Sequence, residues 1–452
     1  MFDKVLIANR GEIAVRIVRA CRELGIATVA VYSDADEDSL AVSLADEAVR
    51  IGPAPATASY LNIPNVIGAA LKTGADAVHP GYGLLSEDPY FAEICADHDL
   101  TFIGPSPSVM EAVGDKAVAR QAMTTAGLSL LPGTVDPVHT FDEANDVAEE
   151  IGYPVVIKAS AGGGGRGITV VRRPDDLREA YRRTRATAQA VFRNRDVYLE
   201  RYLDRARHVE VQVLADAHGD AVHLGERDCS VQRRHQKLVE EAPSPGVSPQ
   251  LRDELGKAAL TGATGVGYRG AGTMEFLLDD DGHFWFMEMN ARVQVEHPVT
   301  EMVTGVDIIA EQIRVAAGQP LSFTQDDVAL DGHAVEFRIN AEDPARDFAP
   351  TPGRLDVFHP PGGPWTRVDT ACRQGDRIPP HYDSMIAKLV VWGPDRAAAL
   401  DRAGRALDEF VIAGGGVHTT TGFHRAVVDH PEFRSGDVRT DFLTRHPPEE
   451  LT

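Results

Sequence analysis

The sequence predicts an α/β protein of more than one domain, and three features carry that expectation. Short apolar strands alternate with helix-period segments over the first hundred residues, the pattern of a parallel sheet covered by helices. A compact strand–helix alternation is embedded in the middle of the chain, and a stretch of strictly alternating apolar and polar residues opens the last third. At 452 residues the chain has room for three domains of about 150 residues each.

Residues 5–8 read as a buried strand, which Asn9-Arg10-Gly11-Glu12 turns into a helix. Ile13, Ile17, Cys21 and Leu24 recur at helical spacing, and Gly25 supplies the stop. Strands follow at 28–32, 77–79 and 100–104. The first turn lacks Gly-x-Gly-x-x-Gly, so the shape is Rossmann-like without the dinucleotide fingerprint, which argues against a dehydrogenase. A helix runs over 116–126 and Leu131-Pro132-Gly133 interrupts the chain. Then come a helix at 141–152, a strand at 155–158, a glycine loop, a strand at 168–171, a helix at 174–189 and a strand at 197–200. This unit has the look of a small lid inserted into a larger domain, which resumes through strand-rich blocks at 208–214 and 272–290. A third, mixed α+β region starts near His333, with Val335, Phe337 and Ile339 alternating, and ends in a mixed tail after Ala398. The expected division is 1–115, 116–330 with the lid at about 131–203, and 331–446.

Lys plus Arg number 45 against 68 Asp plus Glu, a net charge of -23. Such acidity disfavours nucleic acid and anionic membrane as partners. No apolar run approaches the roughly 18 residues of a membrane span, and the N-terminus has no signal-peptide pattern. The four cysteines are far apart and show no metal or disulfide spacing. A cytoplasmic location is expected.

Four features could carry chemistry. In Lys158-Ala159-Ser160-Ala161-Gly162-Gly163-Gly164-Gly165-Arg166-Gly167, bare backbone N–H groups could converge on phosphate oxygens, with Lys158 and Arg166 adding charge. A flexible hairpin loop is the plainer reading. The second feature is a pair of strands, 273–278 and 283–288, joined by Asp279-Asp280-Asp281-Gly282. A simple hairpin would set Leu278 opposite His283 and place Glu275 on the face of Phe286, diagonal to Glu288. Two carboxylates with Asn290 alongside suit Mg²⁺ beside a nucleotide. If the chain stays extended, Arg292, Gln294 and Glu296 continue on that face, adding an anion-binding cation, an amide and a general base. A solvated polar face is the alternative. The third feature, Arg227 to Lys237, is a local basic cluster in an acidic chain, suited to anions or to a solvated basic turn; Cys229 within it reads as a structural thiol. The fourth is Arg338, which shares a face with Glu336 and Asn340 and fits either buried ion pairing or catalysis.

Several longer motifs then stand in order: Ala8-Asn9-Arg10-Gly11-Glu12-Ile13-Ala14, His79-Pro80-Gly81-Tyr82-Gly83-Leu84-Leu85-Ser86-Glu87, the run from Arg227 to Lys237, Met287-Glu288-Met289-Asn290-Ala291-Arg292-Val293-Gln294-Val295-Glu296-His297-Pro298, and Tyr382-Asp383-Ser384-Met385-Ile386-Ala387-Lys388-Leu389. Together they resemble the biotin carboxylases of the ATP-grasp superfamily, along essentially the whole chain. The resemblance implies a Rossmann-like N-terminal domain, a central ATP-grasp domain with a mobile lid, and a mixed C-terminal domain that completes the site. It implies that Lys116, Lys158, Glu200, His208 and Gln232 contact ATP, with His235 beside the nucleotide or phosphate and Gly162, Gly163, Gly164 and Gly165 forming the lid loop. Glu275 and Glu288 would hold Mg²⁺ (or Mn²⁺), with Asn290 close by. Lys237, Arg292, Gln294 and the Val295 backbone would bind bicarbonate, and Glu296 would be its base. Arg338 would stabilise the biotin enolate, with Tyr82 and Gly83 near the ureido ring.

The implied reaction begins with bicarbonate attacking the γ-phosphate of Mg-ATP to give carboxyphosphate. That breaks down to CO₂ and phosphate, phosphate takes the N1′ proton of biotin, and N1′ attacks CO₂. This is the first half-reaction of an acetyl- or acyl-CoA carboxylase, as in fatty acid biosynthesis. Ala161 stands where many members have another glycine, and Thr419-Thr420-Thr421-Gly422 is a looser match. The sequence contains no Ala-Met-Lys-Met biotin-attachment site, so biotin is expected on a separate carrier protein or domain, with a carboxyltransferase subunit and a homodimer as further implied partners. A free-standing subunit and a piece of a longer α chain fit equally. The rival readings are another ATP-grasp carboxylate ligase and a catalytically silent ATP-binding subunit.

Overall fold

The computed structural model describes residues 1–134, 136–160 and 167–451. Its N-terminal sheet is parallel throughout, in the order Glu47–Gly52, Ala27–Ser33, Lys4–Ile7, Ala77–His79, Thr101–Phe102. The central strand feeds two cores: Val5 and Ile7 pack with Ile13 and Ile17 of helix Gly11–Glu23, while Leu6 packs with Val29, Val31 and Val78. Both faces are therefore covered, which is why these strands are continuously apolar. Strand order reverses between Lys4–Ile7 and Ala77–His79, and the crevice beyond their carboxyl ends is where such sheets take ligands. Asn9 closes that crevice by donating to the carbonyls of Pro80, at 2.6 Å, and Tyr82, at 2.8 Å. Gly81, at φ +63°, has no room for a side chain, since a Cβ would lie 2.9 Å from Asn9 Nδ2.

The middle alternation forms a three-stranded antiparallel sheet in the order Ile168–Val171, Val155–Ala159, Val197–Arg201. Helices Phe141–Ile151 and Pro174–Phe192 cover it, and the core they share, from Val138 to Leu199, is a cluster of its own. Thr140 and Glu143 cap the first helix reciprocally. The glycine run Gly162 to Gly165, with Ala161 and Arg166, lies outside the described residues.

An eight-stranded antiparallel sheet organises the rest. Its order is Phe284–Asn290, Gly270–Leu278, Arg207–Ala215, Ala221–Arg233, Gln236–Ala242, His333–Asn340, Met385–Gly393, Thr366–Thr370. Strands from the last third of the chain thus continue the sheet begun in the middle. The basic run is not a solvated turn but the end of one strand and the start of the next. Only Arg234 and His235, both at positive φ (50° and 64°), form the turn. The 273–288 hairpin also departs from the simple register. Leu278 faces Phe284, Phe276 faces Phe286, and a bulge at Met287 sets Glu275 directly opposite Glu288 rather than diagonal to it. Phe286 packs against Phe276 in the apolar core, so Glu275 does not share its face. Among the described residues no helix is long and apolar enough to cross a membrane.

Candidate active site

Strand Arg207–Ala215 alternates strictly: Val209, Val211 and Val213 enter the apolar core, and His208, Glu210 and Gln212 point to the other face. That polar face is not solvated. The segment 291–296 and helix His297–Thr304 cover it, and Glu210, Gln212, Thr273, Glu275, Glu296 and Arg227 are all buried. Cross-strand register lines up Arg227 with Glu210 and Glu210 with Glu275. Arg227 is wholly buried and fully satisfied. It donates to Glu210 at 2.5 Å, Gln212 at 2.8 Å, Thr300 at 3.0 Å and Thr273 at 3.1 Å.

Lys237 is the hub. Its Nζ donates to Glu210, to Glu275 at 2.9 Å and to Glu296 at 2.7 Å. The other Glu296 oxygen accepts from Arg338 at 2.9 Å, and Arg338 Nε donates to Glu240 at 2.6 Å. Burial works against the Lys237 ammonium, but Glu210, Glu275 and Glu296 raise its pKa well above the ordinary lysine value. Burial likewise opposes ionisation of Glu296, and Lys237, Arg338 and Arg227 overcome it to hold the carboxyl well below the usual range. Glu240 is different: burial pushes it up to about 7, even beside Arg338. Cys229 Sγ sits 4.0 Å from Glu296, and burial beside Glu210 raises the thiol well above its ordinary value, which fits an inert group.

Arg292, Gln294 and Glu296 converge on this centre although strand Phe284–Asn290 ends before them. Arg292 donates to Glu87 at 2.9 Å, Gln294 at 2.8 Å and Asn290 at 3.0 Å. Gln294 Nε2 and Asn290 Nδ2 both donate to Glu275, at 3.2 and 2.9 Å, and His208 bonds its other oxygen at 2.8 Å. Burial alone would raise the Glu275 carboxyl, but Lys237 and His208 hold it well below the carboxylate range.

Further along, Lys158 and Arg120 grip opposite oxygens of buried Glu200. Both cations also lie over the Tyr198 ring, at 5.9 and 5.8 Å. Lys116 stands 4.0 Å from Glu288, whose side chain is 40% exposed. Gln232 is cross-strand from Lys237, and exposed His235 occupies the turn, its pKa lowered by partial burial and by Lys158. On the other side of the centre, Tyr82 donates to Glu12 from the glycine turn that ends in exposed Gly83, and the Val295 carbonyl accepts from Lys388 at 2.9 Å.

For a divalent ion, the donor set that fits is Glu275, Glu288 and Asn290. Their oxygens are hard donors: Glu275 and Glu288 face each other in register, Asn290 follows two residues after Glu288, and the ammoniums of Lys237 and Lys116 bracket the pair. The tighter groups His208–Glu210–Glu275 and Glu210–Cys229–Glu296 are also spaced for an ion. Every member of those groups is buried and they are paired with Arg227 and Lys237, whereas part-exposed Glu288 leaves the first set open to an ion.

Four partners were not anticipated: Glu210, Glu240, Arg120 and Glu87. Glu210 could have been found two residues from His208 on an alternating strand, and Glu87 ends the His79 motif. Glu240 and Arg120 carried no local signal.

The chain matches three family models: "Biotin carboxylase, N-terminal domain" over residues 1–110, "Carbamoyl-phosphate synthase L chain, ATP binding domain" over 115–324, and "Biotin carboxylase C-terminal domain" over 336–445. It is 56% identical to a biotin carboxylase of Nostoc sp., covering 98% of each chain. It is 53% identical to biotin carboxylase 1 of Bacillus subtilis, again over 98% of each. Among solved structures, it superposes with TM-score 0.96 and 47% identity on the biotin carboxylase domain dimer of the Hydrogenobacter thermophilus 2-oxoglutarate carboxylase, crystallised with MgADP, ADP and bicarbonate. That match covers 100% of this chain and 99% of the other.

Proposed function

The chain belongs to the biotin carboxylase family, whose reaction is ATP-dependent carboxylation of biotin, and from that premise we propose how its residues divide the work. The observation that carries the reading is Lys237: one buried ammonium contacts the carboxylate on the metal side, Glu275, and the proposed base, Glu296.

Bicarbonate binds to Lys237, Arg292, Gln294 and the Val295 backbone. Its negative charge offsets the cations around Glu296, restoring basicity to a carboxylate that they otherwise suppress. Glu296 then takes the bicarbonate proton. The freed oxygen attacks the γ-phosphorus, the bond to the β–γ bridging oxygen breaks, and ADP and carboxyphosphate result. Lys116, Lys158, Glu200, His208, Gln232 and His235 hold the nucleotide, and Gly162 to Gly165 are assigned to its phosphates. Glu275, Glu288 and Asn290 would hold Mg²⁺ or Mn²⁺, which supplies charge neutralisation at phosphate oxygens. Carboxyphosphate releases CO₂ and phosphate, phosphate takes the N1′ proton, and Arg338 stabilises the enolate while N1′ attacks CO₂. Tyr82 and Gly83 border the ureido ring.

The domain division 1–115, 116–330 and 331–446 belongs to the same proposal. So do a cytoplasmic location, a homodimer, a separate biotin carrier and a carboxyltransferase partner that decides the final acceptor. The dimeric Hydrogenobacter structure supports the homodimer. The test is ADP release from Mg-ATP with and without bicarbonate, repeated with free biotin. Turnover should require bicarbonate and rise with biotin; stimulation by another carboxylate instead would favour a different ligase.

A further inference from the structure

Lys388 is a buried charge beside the site that the reaction above leaves without a role. It lies on strand Met385–Gly393, cross-strand from Arg338, with its side chain fully buried. An ammonium taken out of water is costly unless paired, so its partners state what it holds. Nζ donates to the Val295 carbonyl at 2.9 Å and stands 3.1 Å from Glu12 Oε1, with Asp369 at 4.0 Å. The same Glu12 oxygen accepts from the Tyr82 hydroxyl, while Glu12 Oε2 is buried with no partner. One charge therefore joins the peptide preceding Glu296, the first turn of helix Gly11–Glu23, and the tyrosine of the glycine turn. Burial opposes the ammonium, and Glu12, Glu336 and Asp369 overcome it, so Lys388 stays charged.

We propose that Lys388 is a positioning residue for biotin carboxylation, fixing the Val295 peptide directly and the Tyr82 hydroxyl through Glu12, so that base and biotin-facing tyrosine keep one spacing. This rests on the functional reading above. A merely structural ion pair would disturb every ligand alike, whereas a positioning chain acts on biotin and, through Val295, on bicarbonate, and leaves the KM for ATP alone.

The test compares Glu12→Gln, Tyr82→Phe and their double variant by kinetics with ATP and free biotin, alongside Lys388→Met and Lys388→Arg. Each single variant of the pair should lower kcat/KM for biotin by about tenfold, with the KM for ATP nearly unchanged. The double variant should be no worse than its worse parent. Lys388→Met should lose at least as much, and Lys388→Arg should recover part of it. Multiplying effects in the double variant, or a KM for ATP that rises in step with the biotin loss, would overturn the proposal. If Lys388→Met does not fold, the Glu12/Tyr82 cycle decides alone. A wild-type enzyme without biotin-stimulated ADP release would instead overturn the functional reading, and this inference with it.

Discussion

The centre around Lys237 and the nucleotide end around Lys158 use the same residue types in opposite ways. At the centre, Lys237, Arg227 and Arg338 pair closely with Glu210, Glu275, Glu296 and Glu240 before a ligand arrives, although one Glu240 oxygen has no partner and burial pushes that carboxyl up to about 7. At the nucleotide end only Glu200 is buried between cations. Glu288 is part exposed, and Lys116 reaches it only at 4.0 Å. On the proposed reading, the first region takes a small anion in exchange for one of its own carboxylate contacts. The second would have its cations completed by phosphates and its part-exposed Glu288 by a metal ion.

The contrast can be broken by removing its hub. Lys237→Met would take a cation from three buried carboxylates at once, leaving Glu210 with Arg227, Glu296 with Arg338 and Glu275 with His208, so a loss of about 3–5 kcal/mol is expected, together with all bicarbonate-dependent ADP release. Denaturant unfolding and steady-state kinetics check both. Acid should also act on the centre. Burial lowers His79 and His297 to about 3 and His424 to about 4. His297 adjoins Glu296, and His424 bonds the Arg338 carbonyl at 2.7 Å. Because these folded-state values lie below the unfolded one near 6.5, their stabilisation is present above that pH and is lost as pH falls towards 3. Each contributes a slope of about 1.4 kcal/mol per pH unit in that window. Glu240, raised to about 7, slopes the opposite way in part of this window, so the check is a comparison. His424→Gln should flatten the acid-side fall in unfolding free energy between about pH 6.5 and 4, and an unchanged slope would contradict this.

Smaller effects sharpen the comparison. Lys158→Met leaves Glu200 with Arg120, so the destabilisation should be smaller than for Lys237→Met, and the KM for ATP should rise about tenfold. Glu288→Gln should change stability by less than about 1 kcal/mol while raising the Mg²⁺ concentration needed for half-maximal turnover. Equal destabilisation by Lys158→Met and Lys237→Met would erase the distinction between the two regions.

Much of this was legible in the sequence because it is written locally. Strand-rich composition at 208–214 and period-two alternation at 335–339 marked the strands, and the 287–298 motif carried Glu288, Asn290, Arg292, Gln294 and Glu296 on one short segment. Nonlocal facts were not legible. The pairing of Arg338 with Glu240 spans 98 residues and that of Arg120 with Glu200 spans 80. No periodicity reports a contact across strands brought together by the fold. The bulge at Met287 escaped because loop length alone suggested a simple register, and one extra residue reverses which side chains share a face. The basic run left an anion site and a solvated turn open because its answering carboxylates, Glu210, Glu275, Glu296 and Asp347, come from other segments.

The central claim is that phosphoryl transfer and biotin carboxylation are served by separable groups around one anion centre. The most direct measurement follows ADP release and transfer of labelled bicarbonate to biotin together, in the wild type and in Arg338→Gln. Label transfer should fall by more than about a hundredfold, while bicarbonate-dependent ADP release stays within about tenfold of the wild type. A fall in both by the same factor would contradict the account.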